Sequence, residues 1–153
     1  MDRGGLADRL NPIVEPLVDK LGFSIVELRS GAAREALRVS LVIYRPQGVN
    51  LDDCATVYRA VLPRIEVSEN RRDVHLEVSS PGLNRTIKSA NEFGVFLGRG
   101  VKILVKTSGE WITGTIDSAT DHSLELQNSS GRSEYEFKDI VKAQLDYSEE
   151  VGG

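Results

Sequence analysis

Residue types able to do covalent or metal chemistry are sparse in this chain, and their spacing argues against most such chemistry. The two histidines, His75 and His122, lie far apart with no cysteine near either, so tetrahedral metal-ligand spacing is missing. No serine stands in a Gly-x-Ser-x-Gly setting. Gly94, Gly98 and Gly100 follow an expected helix rather than a strand and lack the dinucleotide-binding fingerprint. The pair Asp52-Asp53 could accept a cation, yet carboxylates at the start of a helix are explained by the helix dipole alone. The single cysteine, Cys54, cannot form an internal disulfide, which fits a reducing compartment. Its neighbours Ala55 and Val57 mark it as a buried helical thiol. Without a paired acid and base, a nucleophile or a ligand cluster, the expectation is a non-enzyme that needs no metal or cofactor.

Binding chemistry concentrates in one stretch, Leu76-Glu77-Val78-Ser79-Ser80-Pro81-Gly82-Leu83-Asn84-Arg85. It reads as a strand running into a Ser-Pro-Gly turn, where Pro81 fixes one φ and Gly82 permits a positive one. Successive backbone N–H groups in such a turn can converge on an anion such as phosphate. Arg85 and Lys88 follow, and Arg71-Arg72 precede the strand. Ser79, Ser80, Gly82, Arg71, Arg72, Arg85 and Lys88 are therefore the candidate RNA-contacting residues. Pro81, Gly82 and Leu83 serve equally as a stiff hinge with ordinary surface cations beside it, and the residues alone leave these two readings level. Trp111, the only tryptophan, could stack on a base. A small β-domain needs large core residues, however, so Trp111 is expected in its wall.

Bulk charge limits the partners. The 153 residues carry a net charge of −4, unevenly spread. Residues 1–88 hold 13 Lys and Arg against 12 Asp and Glu; residues 89–153 hold 6 against 11. Neither part is a basic nucleic-acid binder overall, so any RNA contact must be local, and the acidic part suits a basic protein. No run approaches the ~20 apolar residues that span a bilayer, and the first five residues do not lead into a secretory signal. A cytoplasmic protein is expected.

The elements that must position these residues follow from periodicity. Leu6, Leu10, Ile13, Val14, Leu17, Val18 and Leu21 form one helical stripe. Pro12 and Pro16 predict a kink or a late start, and Gly22 a stop. Phe23–Arg29 reads as a strand, Ser30–Ala33 as its turn, and Leu37–Tyr44 as the clearest strand of all. Asn50 with Asp53 predicts a capping box opening a second helix through Leu51, Val57, Val61 and Ile65. Val74, Leu76 and Val78 make a third strand. The order α-β-β-α-β predicts a three-stranded sheet with two helices on one face. Beyond it, Ser89 with Glu92 predicts another capped helix, stopped at Gly98. Five short strands follow: Val101–Lys106, Trp111–Asp117, Ser123–Gln127, Tyr135–Phe137 and Val141–Leu145. Their close spacing predicts a small closed barrel. The fold class is α+β, with an N-terminal domain over 1–80, a connector over 81–88 and a barrel domain over 89–153.

The Leu76–Arg85 stretch closely resembles the central motif of the ribosome maturation factor P (RimP) family, where a strand leads into Ser-Ser-Pro-Gly-Leu, an acid and an arginine. Gly48-Val49-Asn50-Leu51-Asp52-Asp53-Cys54 resembles that family's entry into its second helix. Val14-Glu15-Pro16-Leu17 and Leu21-Gly22-Phe23 are similar to its first helix and turn. Phe93, Phe96 and Gly98-Arg99 resemble its passage into the barrel, and Asp139-Ile140-Val141-Lys142-Ala143 its last strand. Asn84 stands where an aspartate is usual and Thr86 where a proline is usual. The resemblance implies an Sm-like or SH3-like C-terminal barrel. It implies a non-enzymatic role in late maturation of the small (30S) ribosomal subunit. The implied partners are rRNA and the small-subunit ribosomal protein numbered twelve, with no membrane, and the protein is expected to act as a monomer. The alternatives are a general Sm-like RNA-binding regulator, which would self-associate, or a protein adaptor with no ribosomal role.

Overall fold

The computed structural model describes residues 5–33 and 36–147. The chain divides into two compact units, Met1–Pro81 and Gly82–Gly153, and its class is α+β.

The first unit runs α1 (Gly5–Lys20), β1 (Ser24–Ala33), β2 (Ala36–Tyr44), α2 (Leu51–Glu69) and β3 (Val74–Ser79). The sheet order is β1-β2-β3. β1 and β2 pair antiparallel, whereas β2 and β3 pair parallel. A parallel pair needs a long crossover, and α2 supplies it. Leu37, Val39, Leu41 and Ile43 of β2 are buried with Leu10, Val14 and Val18 of α1 and Val57, Val61 and Ile65 of α2 in one core. Strand alternation sends Arg38 and Ser40 to the opposite face.

Two sequence expectations change here. Helix α1 is already formed at Gly5 and carries Pro12 and Pro16 within it. Asp8, Pro12 and Pro16 lie four residues apart on an exposed stripe. The carbonyls deprived of N–H partners therefore face solvent, where the defect is tolerated. The second change concerns β1, which does not turn at Ser30 but pairs onward through Ser30↔Val39 and Gly31↔Arg38. Backbone pairing with β2 overrides the small residues' turn preference, and residues 34–35 lie outside the described residues. A bulge between Ile25 and Glu27 shifts the apolar alternation of this strand.

Helix α2 begins as expected. Asn50 Oδ1 accepts from the Asp53 backbone N–H at 2.8 Å, and Asp53 Oδ2 accepts from the Asn50 N–H at 2.9 Å. It ends at Asn70, whose φ of 53° closes the helix in the left-handed region.

The second unit comprises α3 (Asn91–Val95), β4 (Gly100–Val105), β5 (Trp111–Ala119), β6 (Ser123–Asn128), β7 (Gly131–Glu136), a 3-10 turn (Phe137–Asp139) and β8 (Ile140–Leu145). The strands form one antiparallel sheet in the order β7-β6-β5-β4-β8. Phe96, Val101, Ile103, Val105, Ile116, Leu124, Leu126, Ala143 and Leu145 are among the buried side chains that pack on it. A closed barrel was expected; among the described residues no ladder joins β7 to β8. β7 is exposed along nearly its whole length, so no buried row draws it across. The outer edge of β8 instead takes residues 85–87: the Ile87 N–H donates to Ala143 O and the Leu145 N–H to Arg85 O, both at 2.9 Å. β5 and β6 approach so closely at Gly114 that a Cβ there would lie 2.9 Å from the Gln127 carbonyl oxygen. Helix α3 lacks the expected side-chain cap, because the Glu92 carboxylate is engaged elsewhere.

Candidate functional site

The anion-binding turn expected at Ser79–Arg85 takes a different form. Ser79 is the last residue of β3, paired with Val42, and Ser80 is exposed beyond it. Gly82 is not among the glycines at positive φ, which are Gly22, Gly48, Gly98, Gly109 and Gly131. The alternating backbone that would aim successive N–H groups at one anion is therefore not set up by Gly82. The turn is closed by the Arg85 N–H donating to Gly82 O at 3.2 Å, and Leu83 at its tip is exposed.

Arg85 is not a surface cation. Its side chain is 10% exposed and forms a two-pronged pair with Glu92, itself 2% exposed. Arg85 Nε donates to Oε1 at 2.9 Å and Nη2 to Oε2 at 3.1 Å. The Lys88 backbone N–H donates to the same Oε2 at 3.3 Å. The Arg-x-x-Lys spacing suggested two exposed charges; the glutamate seven residues after Arg85 was the missed signal.

Arg71 and Arg72 occupy the turn between α2 and β3. Arg71 Nε and Nη2 donate to the two Asp73 carboxylate oxygens at 2.8 and 2.9 Å. That hydrogen bond lowers the Asp73 pKa and raises that of Arg71 further. Arg72 is exposed and has no ion pair among the described residues. A shallow depression of about 420 Å³ lies here, lined by Glu66, Val67, Asn70, Arg71 and Arg72. Arg71 and Arg72 thus belong to the first unit, and Arg85 and Lys88 to the second.

The helix-free face of the first sheet brings together groups that nothing in the sequence links. Arg29, Ser30, Arg38, Ser40, His75 and Glu77 line a depression of about 630 Å³. Arg29 is paired with Glu27 at 3.4 Å, and Glu77 adds a second acid, so the charge there is mixed.

Trp111 does not sit in the wall of the second unit's core. It is 44% exposed, and the Lys102 ammonium lies over its ring, 5.1 Å from the centroid. The physical reason is register. Trp111 pairs with Leu104, so it shares the outward face with Lys102 and Leu104, while Val101, Ile103 and Val105 face inward. At the other end of the strand order, Glu125 stands opposite Glu134 and Ser123 opposite Glu136. Ser123 Oγ donates to a Glu134 oxygen at 2.7 Å.

Cys54 is partly buried. Burial first, and then the Asp53 carboxylate, push its pKa up, so it is a poor nucleophile. Among the described residues no group of three or more His, Cys, Asp and Glu could hold a metal, and no helix is long and apolar enough to cross a membrane.

Residues 13–84 match the model of the RimP N-terminal domain. The chain is 28% identical over 133 residues to the ribosome maturation factor RimP of Borrelia turicatae (strain 91E135), an alignment covering 87% of this chain and 91% of that protein. It is similar, at the same identity and coverage, to the ribosome maturation factor RimP of Borrelia hermsii (strain HS1 / DAH). Similarity to proteins named ribosome maturation factor RimP thus runs through 87% of the chain, and its residues 13–84 match that family's N-terminal domain.

Proposed function

We propose that this protein is a ribosome maturation factor that binds the maturing small ribosomal subunit and performs no covalent chemistry. The observation that carries this reading is the alignment of 87% of the chain to proteins named ribosome maturation factor RimP. Adhesion is also the activity its surface fits, since the described arginine–carboxylate pairs are structural and the one thiol is subdued by burial. In this reading 1–80 and 89–153 act as two domains hinged at Pro81–Leu83, and the second sheet is an Sm-like or SH3-like barrel left open between β7 and β8. The bulges between Leu104 and Val105 and between Ile116 and Ser118 favour such curvature.

The exposed Arg72, with Arg71, Ser79, Ser80 and Lys88 as further candidates, contacts rRNA phosphates. The acidic β6–β7 region, where Glu125, Glu134 and Glu136 cluster, receives a basic small-subunit ribosomal protein. Complementary charge of this kind mainly speeds encounter and rejects wrong partners. The protein works in the cytoplasm as a monomer. A ring of Sm-like subunits would need the outer edge of β8, and residues 85–87 already occupy it.

Co-sedimentation with immature small subunits tests the proposal. Binding should be strong at low ionic strength and fall steeply as salt rises. The Arg71→Ala, Arg72→Ala double variant should bind more weakly. A parent protein that ignores the particles at low salt would end this reading, and undiminished binding by the double variant would remove those two arginines from it.

A further inference from the structure

We propose that the outward face of β4, β5 and β8 is a platform for an unpaired RNA nucleotide, with Trp111 stacking on the base and Lys102 and Lys142 neutralising its flanking phosphates. This rests on the ribosomal reading for its source of RNA, but its chemistry is that of the face itself.

Three strands place the residues in two adjacent rows. Leu104 pairs with Trp111 on one side and Lys142 on the other; Lys102 pairs with Thr113 and Gln144. With neighbouring strands ~4.8 Å apart, Trp111 and Lys142 lie about 10 Å from each other across Leu104, a separation compatible with one nucleotide and its phosphates. Ile103, Ala143 and Gly114 alternate inward and are buried, so the six residues of the two rows share the solvent side.

The charge of this face runs against that of its unit. Residues 89–153 hold 6 Lys and Arg against 11 Asp and Glu, yet none of the six is acidic. Arg132 is paired with Asp117 and Lys138 with Glu136. Lys102 and Lys142, by contrast, have no carboxylate partner among the described residues. The indole stays 44% exposed with the Lys102 ammonium over its ring, and Lys142 stands across Leu104 from it. Those same groups are what single-strand binders use, an aromatic ring for the base and cations for the backbone. A basic protein would be repelled here. A-form duplex buries its base faces, so the ligand is an unpaired nucleotide.

The intrinsic fluorescence of Trp111, the only tryptophan, reports the contact directly. An eight-nucleotide unstructured RNA titrated into the full-length protein at low salt should quench it, whereas a blunt RNA duplex and polyglutamate should not. Followed by anisotropy of labelled RNA, Trp111→Ala should weaken binding about 5- to 100-fold, and Trp111→Phe much less. The Lys102→Gln, Lys142→Gln pair should lower the magnitude of the log–log salt slope by about 1.4. All these positions face solvent, so circular dichroism melts should match the parent. Absence of quenching by the single strand, equal quenching by duplex or polyglutamate, or unchanged affinity in Trp111→Ala would overturn the platform. If the parent still co-sediments with small subunits in that event, the ribosomal reading stands and only the platform falls. Loss of co-sedimentation by the parent, with quenching intact, would sink the ribosomal reading and leave the platform.

Discussion

Replacing Arg85 with alanine separates a surface phosphate ligand from a structural cation. In the structure, Glu92 is 2% exposed and accepts from Arg85 Nε, Arg85 Nη2 and the Lys88 backbone N–H. Arg85→Ala removes both charge-assisted bonds and leaves a buried carboxylate with one long backbone donor. Orphaning one member of a buried pair costs about 3–5 kcal/mol. For a unit of this size that is a fall in Tm of roughly 12 °C or more, at about 4–8 °C per kcal/mol. Arg85→Lys keeps the charge but not the fork, and should lose about 1.5–3 kcal/mol. The double variant Arg85→Met, Glu92→Leu removes both charges and should recover most of the loss. Urea denaturation followed by Trp111 fluorescence, which reports the second unit, measures these variants, and the Arg85→Met and Glu92→Leu singles complete the cycle. An Arg85→Ala variant within about 1 kcal/mol of the parent, or a double variant equal to the sum of the singles, would refute the structural role. Normal stability with lost RNA binding would restore Arg85 as a phosphate ligand.

Asp73→Asn should have two effects. The Asp73 pKa is lowered chiefly by the hydrogen bond from Arg71, so its contribution to stability is present above the unfolded-chain value and fades as pH falls through the lower folded one; the acid limb of a stability–pH curve, below about pH 4, should flatten in the variant. The same change releases Arg71 from its carboxylate, and affinity for small subunits should rise. Gly114→Ala places a methyl 2.9 Å from a backbone oxygen and should destabilise by about 1–3 kcal/mol in a urea melt. Asn50→Ala removes one half of the α2 capping box and should lower stability by about 1 kcal/mol without changing subunit affinity.

The first unit was largely legible because its periodicities are clean. The alternation Leu37, Val39, Leu41, Ile43 and the Asn50–Asp53 cap each have a local cause, and each stands as read. What misled were residues whose roles depend on distant partners. Ser30–Ala33 looks like a turn until β2 pairs with it. Ser89 and Glu92 look like a cap until Arg85 claims the carboxylate. Strand β7, Gly131–Glu136, has no buried row to announce it, and only its end was read. Size alone points Trp111 inward, because nothing local fixes which of two alternating faces of β5 packs on the core; its pairing with Leu104 does.

The distribution of charge in the second unit follows from the same register. Along the strand order β8-β4-β5-β6-β7, the outward rows begin with Lys142, Lys102 and Trp111 and end with Glu125 opposite Glu134. Like charges directly opposite on neighbouring strands are destabilising, and here only hydroxyls soften the contact: Ser123 donates to Glu134, and Ser118 to Glu125 at 3.3 Å. Folding alone gives no reason to keep two glutamates face to face, or to leave an indole in water beside unpaired lysines. The facing glutamates cost stability, and in the proposed reading each end would be matched by a ligand of opposite character, a cationic protein surface at one and an RNA strand at the other. On the proposed function, a factor that bound both a basic protein and RNA would have to hold each without letting them neutralise each other first. Lys102 pairs with Thr113 and Glu125 with Ser118, so roughly 15 Å along β5 separates the two groups, more than a Debye length at physiological salt, and each can meet its partner with little interference from the other.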